Sequence, residues 1–112
     1  MIRRSKADKV SPELHDAAIA RDLRYAHGCV AAWLDPAHGC RNRWGDPQWP
    51  GADLTLDHVQ DGYGRMGKRA PSDMAHLASL CYGAHLGGWA TANRPLLRTY
   101  LREANAATGL IG

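Results

Sequence analysis

Apolar residues at helical spacing mark the first predicted element of the chain. They recur every one to four positions: Leu14, Ala17, Ala18, Ile19 and Leu23. Ser11 suits the N-cap of such a helix, and Pro12 suits its first turn. The pattern therefore predicts a helix over about 12–25, which ends at His27-Gly28.

The middle of the chain carries a strand pattern followed by a second helical one. Within 53–60, Leu54 and Leu56 alternate with polar residues, which predicts a strand. Pro71-Ser72-Asp73 is typical of a helix start. The apolar positions after it return at roughly helical spacing: Met74, Leu77, Leu80 and Cys81. They predict a helical segment with one buried face.

A further helix is predicted near the C-terminus, with Thr91 or Asn93 as its N-cap. Residues 105–112 are predicted to be frayed. At the other end, residues 1–10 are rich in lysine and arginine and are predicted to form a flexible basic arm. One domain is therefore expected over 11–104.

Bulk composition limits the class of protein. A length of 112 residues suits one domain, and twelve glycines and six prolines indicate short elements joined by loops. No apolar run approaches the ~18 residues of a membrane helix, and no secretory signal is evident. A cytoplasmic protein is expected. In the irregular loop 41–51, Trp44 and Trp49 are interpreted as covering the core edge rather than contacting DNA.

Charge and cysteine content point towards two kinds of ligand. The net charge of +3 and the pI of about 9.0 favour polyanions such as nucleic acid. Three cysteines cannot all pair within one chain, which argues against a disulfide framework. The remaining roles for the cysteines are metal binding and ordinary burial.

A group of histidines and an aspartate carries the chemistry of the second half. Asp57 and His58 are adjacent at the end of the predicted strand, and a carboxylate beside an imidazole is what a divalent cation and a water-activating base require. His76 follows in the chain, and His85 comes after eight intervening residues. Cys81 lies between these two histidines.

With these residues the chain resembles the HNH endonucleases, the ββα-metal or His-Me finger nucleases, and especially their small phage-encoded members. The family has an Asp-His pair on the first strand, an asparagine in the following loop and a histidine on the helix. Asp57-His58, His76 and His85 occupy these positions. Ala20-Arg21-Asp22 followed by Cys29 also resembles the opening of the family. The resemblance implies an α+β fold, a small treble-clef-like ββα-metal finger with flanking N- and C-terminal helices.

The resemblance covers roughly 11–102 and implies hydrolysis of DNA phosphodiester bonds. Asp57 and His85 would bind the catalytic Mg²⁺ or Mn²⁺, with His58 as the general base. His76 stands where the family usually has asparagine and would orient the loop. Three cations of the loop 61–72 are candidates for phosphate contacts: Arg65, Lys68 and Arg69.

A structural zinc ion is also expected, with three thiolate ligands from Cys29, Cys40 and Cys81. Its fourth ligand stays open. His85 could complete the zinc site, and Asn93 would then become a candidate for the catalytic cation. Alternatively, His85 binds the catalytic cation and His38 or His27 substitutes at the zinc. The resemblance favours this second arrangement, because the eight residues between His76 and His85 fit the spacing of the family.

Two non-catalytic functions are the alternatives. A zinc-stabilised module that binds nucleic acid would keep the cysteines and the cations, but it would not need Asp57 or His58. A structural member of a larger phage assembly would keep the fold alone. Duplex DNA is the expected partner, and a role beside a phage terminase is what the resemblance suggests, with no membrane involved. The compartment would then be the host cytoplasm.

Overall fold

Five helices and two short strands make up the described part of the chain, residues 10–59 and 73–108, in the computed structural model. They are α1 (Pro12–Tyr25), α2 (Val30–Leu34), β1 (Leu54–His58), β2 (Leu77–Cys81), α3 (Tyr82–Leu86), α4 (Trp89–Ala92) and α5 (Arg94–Thr108). The predicted α+β class is confirmed. Within these residues no helix is both long enough and apolar enough to cross a bilayer. The predicted basic arm lies outside the described residues, Val10 excepted.

Helix α1 has the bounds that the sequence predicts, because its start signals are local. The Ser11 hydroxyl accepts a hydrogen bond from the Leu14 N–H at 3.1 Å, and Pro12 needs no partner for a missing N–H. After the helix, His27 and Gly28 have φ angles of 63° and 136°. A Cβ at Gly28 would lie 2.4 Å from the Pro50 carbonyl oxygen, so this turn requires glycine.

The buried face of α1 differs from the predicted apolar one. Arg21 and Asp22 are 2% and 0% exposed, whereas Leu23 is 41% exposed. Arg21 donates two hydrogen bonds to Asp22, from Nε at 2.8 Å and from Nη2 at 2.9 Å. Asp22 also accepts from the Tyr100 hydroxyl at 2.5 Å and from the Ser79 N–H at 2.8 Å. A buried ion pair survives in the core only when it is satisfied in this way.

The guanidinium of Arg21 extends this network across the fold. It donates to the Met74 carbonyl at 2.7 Å, to the Asn105 side-chain oxygen at 3.1 Å and to the Leu77 carbonyl. The Arg21-Asp22 pair therefore fastens α1 to both β2 and α5. This role explains the Ala20-Arg21-Asp22 motif in structural rather than catalytic terms.

The predicted helix after Asp73 is wrong, because Leu77–Cys81 forms the strand β2. All five of its residues are buried. A strand covered on both faces shows a continuous apolar run without alternation, so its sequence resembles that of a buried helix. Pairing with β1 and packing against α1 and α5 decide the conformation.

The two strands form an antiparallel sheet with a register that runs from Leu54↔Cys81 to His58↔Leu77. Strand β1 occupies 54–58, slightly less than the predicted 53–60. Helix α3 begins directly after β2, so the chain order at this point is strand, strand, helix. This arrangement brings His85, on α3, back over β1.

The predicted fraying from residue 105 is wrong for 105–108, since α5 continues to Thr108. Asn105 is only 2% exposed, and its amide donates to the Met74 carbonyl at 2.9 Å. Its bonds to Arg21 and Met74 hold the last turns of the helix in place. Residues 109–112 lie outside the described residues.

Candidate functional site

Asp57 and His85, distant in sequence, meet where β1 lies against α3. His85 Nε2 is 3.4 Å from Asp57 Oδ1. The Asp57 side chain is 16% exposed and the His85 side chain is 27% exposed. The pair is therefore held by the fold and still accessible to water and a small ligand.

Thr55 fixes the orientation of the His85 ring. The Thr55 hydroxyl donates its one hydrogen to the Leu80 carbonyl at 2.9 Å, so at 2.9 Å from His85 Nδ1 it acts as the acceptor. The proton of a neutral ring is thereby placed on Nδ1. The lone pair of Nε2 then faces a carboxylate oxygen of Asp57. The Nε2 lone pair and the carboxylate oxygen are both acceptors, so their close approach is stable when a proton or a cation lies between them.

Thr55 was not among the site residues predicted from the sequence, although a signal for it exists. Residues i and i+2 of a strand point to the same face, so Thr55 and Asp57 both project towards α3. Any hydroxyl two residues before a metal-binding carboxylate on a strand is a candidate partner for the opposing ligand.

Burial and nearby positive charge have opposite effects on the pKa of Asp57. Burial raises the pKa of the Asp57 carboxyl, while the nearby charges of His85, Arg94 and His58 lower it. The net effect is a raised pKa. Protons therefore compete with a cation for this carboxylate at a higher pH than they would at an exposed aspartate.

His58 ends β1, next to the Asp57–His85 pair. Its charge lowers the pKa of the Asp57 carboxyl, so the imidazole lies within electrostatic reach of that group. His58 is half-buried.

His76 braces the connection that returns to the sheet. Its carbonyl accepts a hydrogen bond from the Val59 N–H at 2.7 Å, directly after His58. Its ring Nδ1 lies 2.7 Å from Asp73 Oδ1. The backbone bond joins the chain directly before and after residues 60–75, which is compatible with the predicted orienting role.

Four side chains with metal-binding atoms form a second centre. Their ligand atoms all lie within 4.8 Å of one another: Cys29, His38, Cys40 and Cys81. In a tetrahedral zinc site with Zn–S bonds of about 2.3 Å, the ligand atoms are about 3.8 Å apart. Three thiols and an imidazole are the donor set of a structural zinc site, so these residues could hold such an ion.

The hydrogen bonds of the cluster suit thiolate ligands. The Cys81 N–H donates to Cys29 Sγ at 3.2 Å, and the Ala84 N–H donates to Cys81 Sγ at 3.3 Å. His38 Nε2 lies 3.4 Å from Cys81 Sγ. Cys81 is also the N-cap of α3, so the cluster is joined to the helix that carries His85.

The three thiols differ in acidity. The hydrogen bond with Cys29 lowers the pKa of Cys81 to about 4, against the opposing effect of burial. The same hydrogen bond raises the pKa of Cys29, and burial raises the pKa of Cys40 to about 11. A bound zinc ion would favour the deprotonated form of each thiol that it ligates, so zinc binding would release protons.

One of the histidines considered as a fourth zinc ligand lies in the cysteine cluster. His38 lies in the cysteine cluster, whereas His85 faces Asp57. The ring of His27 instead packs edge-on against Trp33, with centroids 5.7 Å apart. Asn93 donates its amide to the Trp89 carbonyl at 2.9 Å, and the arrangement that required it as a cation ligand is no longer needed.

The predicted phosphate contacts cannot be placed, since Arg65, Lys68 and Arg69 lie outside the described residues. The interpretation of the two loop tryptophans is wrong. Trp44 is 75% exposed and Trp49 is 66% exposed, so neither covers the core.

Comparisons of the chain with protein-family models, with curated proteins and with solved structures give no match.

Proposed function

We propose that the chain is a metal-dependent endonuclease of the HNH type, which hydrolyses phosphodiester bonds of DNA. The observation that carries this proposal is the Asp57–His85 pair, fixed by Thr55 on a strand–strand–helix unit. In this proposal β1, β2 and α3 are a ββα-metal finger of treble-clef type, flanked by α1 and α5. Asp57 and His85 would hold one Mg²⁺ or Mn²⁺, whose preference for oxygen ligands suits the carboxylate.

The residues of the chain divide the reaction between them. His58 accepts a proton from the attacking water, whose oxygen forms the new bond to phosphorus as the bond to the leaving 3′ oxygen breaks. His76 holds the connection next to His58 through its bond to Val59. A cation, when bound, neutralises charge that develops on the phosphoryl group and the leaving oxygen. Arg65, Lys68 and Arg69 contact flanking phosphates.

The cysteine cluster serves as a structural zinc site in this proposal. A domain of this size buries a modest core, and a metal adds stability that apolar burial does not supply. The ligands come from the start of α2, the following loop and the β2–α3 junction, so one ion would tie these segments together. A role in phage DNA packaging beside a terminase is the biological context that the resemblance suggests.

A non-catalytic, zinc-stabilised nucleic-acid-binding module is the second candidate, and the cysteine cluster favours it equally. Such a module does not require an accessible carboxylate aimed at an imidazole lone pair. The assay that separates the two is cleavage of supercoiled plasmid by the purified protein with EDTA, Mg²⁺ or Mn²⁺. We expect nicked or linear product with either cation and none with EDTA. Intact plasmid under every condition would contradict the nuclease proposal and favour the binding module.

Replacement of Thr55 by valine tests the cation site separately. Valine keeps the shape of threonine but cannot accept from His85 Nδ1, so the ring loses its fixed orientation. We expect Mn²⁺ affinity, measured by calorimetry, and the Mn²⁺ dependence of nicking to weaken about 10- to 100-fold. The control is Thr99→Val, an exposed threonine of α5. Equal Mn²⁺ affinity in both variants would show that Thr55 does not prepare His85 for a cation.

A further inference from the structure

The loop between Cys40 and Gln48 is a rigid projection rather than an irregular connection. Arg41 forms an isolated β-bridge with Pro47. Inside this closure, the Asn42 side-chain oxygen accepts from the N–H groups of Trp44 and Asp46, at 2.9 and 3.0 Å. The loop backbone is thus held by its own hydrogen bonds, and Trp44 at its tip is 75% exposed.

A cation on this projection lies near two aromatic rings, one in the loop and one on α3. The Arg43 guanidinium is 5.7 Å from the centroid of Trp44 and 6.0 Å from that of Tyr82. Arg41 anchors the loop, since its guanidinium donates to the Gly45 carbonyl at 2.8 Å. In 41–49 two arginines stand against one aspartate, Asp46. The surface of Arg43, Trp44 and Tyr82, called here the aromatic–arginine surface, is therefore positively charged.

The aromatic–arginine surface is joined to the proposed cation site. The Gly83 N–H on α3 donates to the Arg41 carbonyl at 3.1 Å. A Cβ at Gly83 would lie 3.2 Å from the Cβ of Arg41, so loop and helix are closely packed. Tyr82 and His85 are three residues apart on α3 and thus project to neighbouring positions. A strand bound on this surface would pass next to Asp57–His85.

We infer that the aromatic–arginine surface binds an unpaired stretch of the nucleic-acid strand beside the scissile phosphate. The inference rests on the proposed nuclease function and narrows its substrate class. An exposed ring such as that of Trp44 stacks on bases, and stacking needs bases that are not enclosed in a duplex. The guanidinium of Arg43 beside this ring supplies the phosphate contact. Frayed, forked or single-stranded substrates are then preferred over continuous duplex.

The test is binding of a fluorescein-labelled oligothymidylate and of a matched duplex, followed by anisotropy without added divalent cation. We expect the wild-type protein to bind the single strand more tightly than the duplex. Trp44→Ala should weaken single-strand binding about 5- to 100-fold, as loss of one stacked base does, and Trp44→Phe should restore most of it. Arg43→Ala should weaken binding and lower the slope of log affinity against log salt by about 0.7.

The control is Arg24→Ala, which removes an equally exposed cation from the last turn of α1. Binding by Trp44→Ala and Arg24→Ala within twofold of each other would overturn the inference. So would wild-type preference for duplex, or a change in sedimentation showing that Trp44 joins two copies of the chain.

Plasmid cleavage, run in parallel, separates this inference from the proposed function. Trp44-dependent binding by a protein that cleaves nothing would support the surface and contradict the nuclease. Normal cleavage together with equal single-strand binding by the wild type and Trp44→Ala would contradict the proposed role of the aromatic–arginine surface and leave the nuclease proposal intact.

Discussion

Replacement of His58 by alanine should lower the rate of Mg²⁺-dependent plasmid nicking about 10²- to 10⁴-fold, the usual contribution of a general base. Alanine cannot accept the proton of the attacking water, whereas the cation ligands Asp57 and His85 stay in place. We therefore expect Mn²⁺ affinity and the melting temperature to stay close to those of the wild type. The measurement is the initial rate of nicking with saturating Mg²⁺, alongside calorimetry with Mn²⁺.

The matched control is His15→Ala, since His15 is an exposed histidine on α1 with half of its side chain accessible. It should nick at the wild-type rate. This comparison isolates the imidazole at position 58, because both variants lose one histidine and His15 lies on α1 rather than on β1. Full activity in His58→Ala with cation-dependent nicking intact would move the base to another group, and loss of Mn²⁺ affinity would instead make His58 part of the cation site.

The fold could be predicted where local signals determine it and not where packing does. Ser11 and Pro12 define the start of α1, and the structure has those bounds. Strand β2 was predicted as a helix, because burial on both faces removes the alternation that identifies a strand. The helical pattern predicted that Leu23 is buried and did not predict that Asp22 is. The hydrogen-bond network that buries Asp22 involves Tyr100, which is far along the chain.

The candidate site shows the same division. The candidate residues could be named from their types and from the resemblance to the HNH family. Asp57 and His85 do lie together, which agrees with the arrangement favoured from the sequence. The fourth member of the cysteine cluster could not be selected, because His38 and Cys81 are 43 positions apart and meet only in the tertiary structure. The exposed loop tryptophans were misjudged because composition does not say which large rings the fold has room to bury.

Replacement of Cys81 by serine should remove bound zinc and lower the melting temperature by roughly 10 °C, equivalent to a loss of about 2 kcal/mol in the free energy of unfolding. Serine is a poor zinc ligand, and the remaining thiols of Cys29 and Cys40 would be left buried without the ion. The measurements are zinc content by elemental analysis and thermal unfolding by circular dichroism.

A chelator supplies the control within the same experiment. Wild-type protein stripped of metal should melt at the temperature of Cys81→Ser, and the variant itself should not respond to the chelator. His38→Ala should also lose zinc, whereas His27→Asn, at a position whose φ of 63° asparagine tolerates, should keep it. Wild-type protein that contains no zinc and melts together with Cys81→Ser would contradict the zinc site.

Zinc loss should reach the cation site as well, because Cys81 is the N-cap of the helix that bears His85. The Ala84 N–H bonds to Cys81 Sγ, one residue before His85. Without the ion this first turn of α3 loses its anchor, and His85 loses its fixed approach to Asp57. We therefore expect Mn²⁺ affinity to fall in Cys81→Ser even at temperatures where the variant is folded. His58→Ala, which leaves α3 untouched, should not show that loss, so the two variants together separate a defect in cation binding from a defect in proton transfer.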